Sequence, residues 1–259
     1  MKSPIKLIEQ RRKEIIKLLE VNPSLNAQDL SEHFKVSALT IRRDFQYLED
    51  RNCIQRHYGG VVLVEGFREK DKKDNLIERR KNLIAKRAAE FVENGDTIFI
   101  NTSTTALLIL KYIKDKKVNV ITNNANAVFV QKDYNINVML TGGELREPKE
   151  SMVGEFAYNN LMRVSANKCF MGCSGISASA GLTTAVLAEV AINELMLRQC
   201  TGTSFVLADS TKVGHNHSFV SSELNKIDYL ITDDHAPKEH CESIKEKGVK
   251  VITIHELNT

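Results

Sequence analysis

The sequence predicts a two-domain chain of α+β and α/β character: an N-terminal winged helix-turn-helix followed by a mostly parallel α/β domain. Three observations predict it. Helical apolar stripes with polar caps crowd into the first fifty residues. Two short extended runs then flank a Gly-Gly pair. From residue 77 onward, short apolar runs alternate with helical patterns, as buried parallel strands and their crossover helices do. The boundaries read from these patterns are 1–62 for the first domain, 63–76 for a linker and 77–259 for the second domain.

Ile8, Ile15, Ile16 and Leu19 give the first helix one apolar face. The Asn22-Pro23 step ends it, because proline disfavours helical backbone at the residue before it. Asn26 is placed to cap a second, short helix that buries Leu30 and Phe34. His33 to Val36 leave room only for a tight connection, and Ser37 caps a third helix. There Ile41, Phe45 and Leu48 fall at i, i+4 and i+7, a single apolar stripe. Two short helices joined so closely form a helix-turn-helix, the second of them placed for recognition.

The other side of the third helix shows Thr40, Arg42 and Arg43. Arginine bonds bidentately to the O6 and N7 of guanine in the major groove, and it also holds phosphate. An ordinary surface helix with a charged face is the competing reading of the helix alone. The extended runs around Gly59-Gly60 read as a small β-wing, or as a turn leaving the domain. In a wing, Arg56 and His57 sit where it meets the DNA backbone or minor groove. Ser37, Thr40, Arg42, Arg43, Arg56 and His57 are therefore the candidate DNA contacts.

Charge distribution agrees. The chain has 259 residues and a net charge of +3. Residues 1–60 carry 11 basic and 8 acidic side chains, whereas the remainder carries 25 of each. The excess positive charge thus lies wholly where a polyanion would bind.

The stretch VSALTIRRDFQYLEDRNCIQRHYGG resembles the signature of the DeoR family of bacterial transcriptional regulators. The resemblance is carried by Ser37, Thr40-Ile41-Arg42-Arg43-Asp44, Leu48-Glu49, Arg56-His57 and Gly59-Gly60. Phe45 stands where leucine is usual and keeps the stripe apolar. The resemblance implies binding to double-stranded operator DNA, with repression the expected outcome.

From Glu65 to Arg80 the chain is dense in charge and reads as a solvated linker leading into a helix. Ile77, Ile84, Ala88 and Phe91 mark that helix. Strands are expected at residues 97–100, 118–121, 138–140, 168–171, 204–207, 229–231 and 249–254, with helices at 104–113 and 189–199. In parallel sheets ligands sit beyond the carboxyl ends of the strands. The residues there are small and polar. Asn101-Thr102-Ser103-Thr104-Thr105 brings four hydroxyls to a helix start, more than one cap needs. Thr122-Asn123, Gly142-Gly143, Gly172 and Gly175 follow later strands, and Asp209 to Lys212 adds a cation. The candidate ligand residues are Asn101, Thr102, Ser103, Thr104, Thr105, Thr122, Asn123, Gly142, Gly143, Gly175, Glu189, Asp209 and Lys212.

The family resemblance extends through this half. It implies an effector domain like the ribose-5-phosphate isomerase and CoA-transferase fold, binding phosphorylated sugars or related metabolites. The family's loop usually reads Asp-x-Gly-Thr-Thr, so Asn101 and Ser103 depart from it. Basic residues, common in the family around Asn193 and Glu194, are also absent.

Other chemistries are weakly indicated. Five dispersed cysteines without a Cys-x-x-Cys pair read as reduced thiols of a cytoplasmic protein. No apolar run approaches the roughly 18–20 residues that cross a bilayer. His215 and His217 lack a third metal ligand nearby in sequence, and no cofactor motif is present. The alternative function is a sugar-phosphate isomerase or deaminase carrying a nucleic-acid module, with Glu189 or Asp209 as base. The expected partners of the regulator are operator DNA, a phosphorylated small molecule and a second copy of the chain, as dimer or tetramer.

Overall fold

The computed structural model describes residues 4–255, apart from Pro23, Gly66 and residues 148–149; the side chains of residues 4–6, 9 and 67–73 are not described. The chain divides into two compact units, residues 1–75 and 76–259.

The first unit holds helices α1 (Pro4–Val21), α2 (Ala27–Phe34) and α3 (Ala38–Asp50) and the strands β1 (Ile54–His57) and β2 (Gly60–Leu63). Asn26 Oδ1 accepts from the N–H groups of Gln28 and Asp29, so the expected cap starts α2. Lys35, at φ 53°, ends α2 in a left-handed turn that is tight enough for Ser37 to cap α3 two residues later. Ile41, Phe45 and Leu48 join Ile15, Leu19, Leu30, Ile54 and Val61 in one small core. Each such buried side chain contributes about 1.5–3 kcal/mol of transfer free energy. β1 and β2 pair antiparallel with His57 opposite Gly60, so the Gly-Gly stretch closes a wing. Gly59 takes φ +103°, which favours glycine. A Cβ on Gly60 would lie 2.5 Å from the Leu25 carbonyl oxygen, because Leu25 bridges to Val61 at the wing's edge.

Residues 63–76 do not form the expected linker. Leu63 closes β2, and a single helix, α4 (Phe67–Ala89), begins ten residues before Ile77. Dense charge is compatible with a helix that has only one short apolar stripe to bury, here around Ile84, Ala85 and Ala88.

The second unit continues with β3 (Thr97–Ile100), α5 (Thr104–Leu107), β4 (Val118–Thr122), β5 (Ile136–Leu140), β6 (Glu144–Arg146), β7 (Ser151–Val153), α6 (Gly154–Leu161), β8 (Ala166–Met171), β9 (Gly175–Ser177) and β10 (Gly181–Thr184). It ends with α7 (Leu187–Arg198), β11 (Cys200–Leu207), β12 (Phe219–Ser222), β13 (Tyr229–Asp233), α8 (Lys238–Glu246) and β14 (Lys250–Ile254). The helix expected at 104–113 is four α-helical residues followed by a 3₁₀ segment, Leu108–Lys111. The hairpin of β6 and β7, helix α6 and the small antiparallel sheet β12-β10-β9 were not expected.

Seven strands make one parallel sheet in the order β14-β13-β11-β8-β3-β4-β5. Ile98 and Ile100 face a core shared with α4 and α5, while Phe99 faces one shared with α6, α7 and α8. Phe170, Phe205 and Tyr229 stack across β8, β11 and β13 with centroids 4.8 and 5.0 Å apart. From β3 the chain first builds outward through β4 and β5, then returns to lay β8 on the other side. The order therefore reverses between β3 and β8, where a doubly wound sheet opens a crevice beyond its carboxyl ends.

Candidate functional site

In the first unit, Ser37 Oγ accepts the Thr40 N–H at 3.2 Å and lies 2.9 Å from Thr40 Oγ1. Both hydroxyls thus finish the start of α3. Arg42 and Arg43 are exposed and make no hydrogen bond or ion pair among the described residues, so their guanidiniums are available to an outside partner. Arg56 is held: its Nη2 donates to Gln46 Oε1 at 2.9 Å and its Nε lies 2.9 Å from Glu49 Oε2. His57 is also held. Its Nδ1 lies 2.9 Å from the Tyr58 carbonyl oxygen, which can only accept, so Nδ1 carries the proton. In the neutral ring, Nε2 then accepts from Ser24 Oγ at 2.9 Å. Arg56 and His57 therefore fasten the wing to α3 and to the segment before α2.

A feature outside the sequence reading fixes α3 from behind. Asp44 is 1% exposed, yet it lies on the helix's buried side. Arg11 and Arg12 of α1 each donate Nε to it, at 2.6 and 2.8 Å. Arg12 also lies over the Tyr47 ring, 3.5 Å from its centroid, and Arg51 lies 4.0 Å from it.

In the second unit, a cavity of about 210 Å³ opens at the β3–β8 switch point. Asn101, Thr102, Ser103, Thr104, Thr105, Glu189, Asp209 and Lys212 all line it, as does Gly172. Ser103 caps α5 by accepting the Ala106 N–H at 3.2 Å, leaving the neighbouring threonines as surplus hydroxyls. Gly172 packs directly against Ser103, where a side chain would have no room. Asn101 is fully committed. Its Nδ2 donates to the Gly172 carbonyl at 2.9 Å and to Asn193 Oδ1 at 3.1 Å. Its Oδ1 accepts from the N–H groups of Gly172, at 2.9 Å, and Ser103, at 3.2 Å. The backbone partners fix the amide orientation, and an aspartate could not donate in this arrangement.

Charge in the cavity is mixed. Glu189 Oε2 accepts from Thr184 Oγ1 at 3.0 Å, and Asp209 Oδ1 accepts from the Thr211 N–H at 3.0 Å and from its hydroxyl. Lys81 and Lys212, both half-buried, make no side-chain hydrogen bond or ion pair among the described residues. Burial, reinforced by the Asp209 carboxylate, pushes the Cys173 thiol up to about 12, against a smaller opposing pull from Lys212. Cys173 is thus a neutral part of the wall at ordinary pH, not a nucleophile.

Five expected ligand residues do not line this cavity. Thr122 and Asn123 are fully buried; Thr122 Oγ1 accepts the Asn124 N–H at 3.1 Å, and Asn123 Nδ2 donates to the Met152 carbonyl at 3.1 Å. A Cβ on Gly143 would lie 2.5 Å from the Val153 carbonyl, so that glycine, like Gly142 at φ +69°, serves the β6–β7 hairpin. Gly175 is pressed against the His215 backbone. Thr122, Asn123, Gly142 and Gly143 follow β4 and β5, on the far side of β3 from β8, and Gly175 begins β9. The wall gains Lys81, Ser174, Thr184, Asn193 and Ser221 instead. Lys81 had a signal: it stands on the α4 stripe of Ile77, Ile84 and Ala88, where a lysine is out of pattern. His215 and His217 precede β12 rather than lying on a strand. Among the described residues no helix is long and apolar enough to cross a membrane.

A winged helix-turn-helix with free arginines on its third helix, followed by a parallel sheet with a polar switch-point cavity, defines a DNA-binding regulator with a sensor-type domain. Comparison with known proteins gives the family. Residues 11–66 match the DeoR-like helix-turn-helix domain and residues 77–234 the DeoR C terminal sensor domain. The HTH-type transcriptional regulator YulB of Bacillus subtilis is 30% identical over 96% of this chain and 97% of its own. The HTH-type transcriptional regulator GlpR of Haloferax volcanii is 30% identical over 94% and 96%, and the glycerol-3-phosphate regulon repressor of Escherichia coli 30% over 88% and 92%. The chain belongs to the DeoR family and is a DNA-binding transcriptional regulator. Among solved structures, ribose 5-phosphate isomerase from Methanocaldococcus jannaschii overlaps 52% of this chain and 54% of its own at 17% identity, with a TM-score of 0.38.

Proposed function

We propose that this regulator represses a sugar or polyol operon and that a phosphorylated metabolite, bound in the switch-point cavity, modulates its hold on DNA. The observation that carries this is the pair Lys81 and Lys212, two cations lining the cavity whose ammonium groups make no ion pair among the described residues, beside the hydroxyls of Thr102, Thr104 and Thr105. The names of relatives, among them a lactose phosphotransferase system repressor of Staphylococcus epidermidis, support the sugar assignment. Arg42 and Arg43 are the base- and phosphate-contacting residues in this reading. A homo-oligomer binds paired half-sites, roughly 34–36 Å apart.

The enzyme alternative has less support. Its two candidate bases, Glu189 and Asp209, each already accept from a threonine hydroxyl. The test is a titration. Operator duplex, selected from a random pool by the pure protein, is bound at fixed salt while glycerol 3-phosphate, ribose 5-phosphate, fructose 1-phosphate and glucose 6-phosphate are added in turn. At least one should change operator affinity about tenfold, a coupling of roughly 1.4 kcal/mol. No change with any of them removes the sensing role, and turnover of any of them favours the enzyme.

A further inference from the structure

β5 is the outer strand of the seven-stranded sheet on the β4 side, and among the described residues no strand pairs with its free edge. Its sequence, Ile136-Asn137-Val138-Met139-Leu140, carries no charge. The opposite edge strand, β14, opens on the exposed Lys250, and a charge on an edge discourages pairing with another chain. β5 has no such guard.

The hydrogen bonds to β4 fix which groups of β5 face outward. The Val118 N–H donates to the Asn135 carbonyl at 3.3 Å, and the Thr141 N–H donates to the Thr122 carbonyl at 3.0 Å. Odd-numbered residues therefore turn their backbone to β4, and Ile136, Val138 and Leu140 turn theirs to the free edge. The Ile136 N–H is already spent on the Asp133 carbonyl, at 3.2 Å. The outward donors left are those of Val138 and Leu140, and the outward acceptors are the carbonyls of Ile136, Val138 and Leu140. An antiparallel copy of the same strand, centred on Val138, overlaps the whole of β5 and gives each donor an acceptor. Val138 exchanges both bonds with its own copy, and Leu140 donates to the copy's Ile136.

The surroundings suit the same occupant. The 3₁₀ segment Ala125–Phe129 contacts β5 and buries Ala127 in the core that holds Ile136, so it lies on the face of Ile136, Val138 and Leu140. Leu140 is 41% exposed, Phe129 84% and Tyr134, in the turn before β5, 93%. A standard interface buries about 800 Å² on each partner, and each buried aromatic contributes about 150–250 Å² of it. The two ends of β5 differ in charge: Lys132 precedes it and Glu144 follows it, and neither makes an ion pair among the described residues. Antiparallel pairing sets the start of one strand beside the end of the other, so the lysine of each copy comes to the end that carries the opposite charge.

We propose that β5 pairs antiparallel with β5 of a second copy about a twofold axis at Val138, joining two sheets into one, and that this is the face through which the chain forms its homo-oligomer. Such an interface is isologous: the same patch serves both copies. The inference rests on the homo-oligomer of the proposed function and names the surface that builds it.

The experiment uses the full chain, with sedimentation equilibrium as the measure of self-association. Val138→Pro removes an outward N–H and no bond to β4, and edge strands accept proline. Leu140→Lys places a charge on the edge. Each should weaken self-association at least tenfold, leave the far-ultraviolet spectrum unchanged, and weaken binding to a complete operator at least tenfold while binding to a single half-site stays as in wild type. If the proline variant fails to fold, Leu140→Lys and a cross-link decide. A hydrogen-bonded antiparallel pair holds its Cα atoms about 5.5 Å apart, within disulfide reach. Mild oxidation should therefore cross-link Val138→Cys at least fivefold more than Thr253→Cys on β14. Wild-type self-association in the folded edge variants, or no excess cross-link at 138, overturns the inference and leaves the oligomeric regulator standing. Wild-type protein that stays monomeric at concentrations saturating the operator removes the oligomer itself, and the inference with it. Open-ended aggregates in place of a dimer or tetramer overturn the twofold pairing.

Discussion

Asn101 donates its side-chain amide to Oδ1 of Asn193 across 3.1 Å, joining the loop after β3 to α7 in the wall of the ligand cavity. Both side chains are neutral amides, 2% and 3% exposed. Asn101→Asp should therefore destabilise the second unit by about 2–4 kcal/mol, because a buried carboxylate would face the Gly172 carbonyl and Asn193 Oδ1 and lose two donated bonds. Adding Asn193→Lys, which can extend into the cavity, should recover part of the loss. Urea unfolding of the single and double variants measures the coupling, and strict additivity would remove this explanation.

Asp44 makes a second prediction. The carboxylate is 2% exposed at its side chain, and its two partners, Arg11 and Arg12, are 15% and 21% exposed. Removing one member of a buried ionic group leaves the others uncompensated. Asp44→Ala should cost about 2–4 kcal/mol of first-unit stability, below the upper range for buried pairs because both arginines reach some water. Far-ultraviolet melting of the variant measures this. The same substitution should weaken operator binding more than nonspecific binding, since α3 loses its orientation while its exposed arginines remain.

Much of this architecture was legible in the chain, and the illegible parts share a cause. Caps at Asn26 and Ser37, the wing and the seven parallel strands follow from local rules of spacing and hydrogen bonding, which act within a few residues. Asp44 and Lys81 are not legible from local pattern, although both stand on apolar stripes where a charge is out of place. Their meaning depends on partners 32 or 33 residues away for Asp44 and on a cavity built from segments far apart in the chain for Lys81. Thr122, Asn123, Gly142 and Gly143 were placed in the site because they follow strands. The cavity is lined from β3, β8, β11 and the small sheet but not from β4 or β5, and strand order is a long-range property. Asn101 lines the cavity, but its four bonds are spent on the protein.

Asp96 sets an acid limit on stability. Burial raises its pKa, but the Glu93 N–H at 2.7 Å, Lys168 at 2.8 Å and Asn167 at 2.5 Å outweigh burial and hold it below the usual 3.8. A group whose folded pKa is depressed contributes stability above its unfolded value and loses it as pH falls through the folded one. Urea midpoints measured between about pH 6 and pH 2.5 should therefore fall at the acid end, and Asp96→Asn should flatten that fall while lowering stability at neutral pH. Lys168 works in the opposite sense. Burial lowers its pKa, yet Asp96 and Glu93 hold it above 10.5, so its contribution is full below 10.5 and lost as pH rises through the folded value. An Asp96→Asn profile parallel to wild type in acid would mean that the pair is not the acid-sensitive element.

Arg42 and Arg43 separate from Arg56 and His57 in what they should do on DNA. The first two are exposed and unbonded among the described residues, so Arg42→Ala and Arg43→Ala should each weaken operator binding by about 1–3 kcal/mol where the arginine reads a base. A purely phosphate-bonded arginine should instead weaken all sequences alike and lower the salt slope by about one. Arg56 and His57 already bond Gln46, Glu49 and Ser24. His57→Ala should therefore loosen the wing and leave sequence preference intact, visible as a uniform loss across operator and nonspecific duplexes. Binding isotherms at three salt concentrations, on operator and on a duplex with one half-site replaced, distinguish the two pairs. A loss of sequence preference in His57→Ala equal to that in Arg42→Ala would show that the wing histidine leaves Ser24 to contact bases.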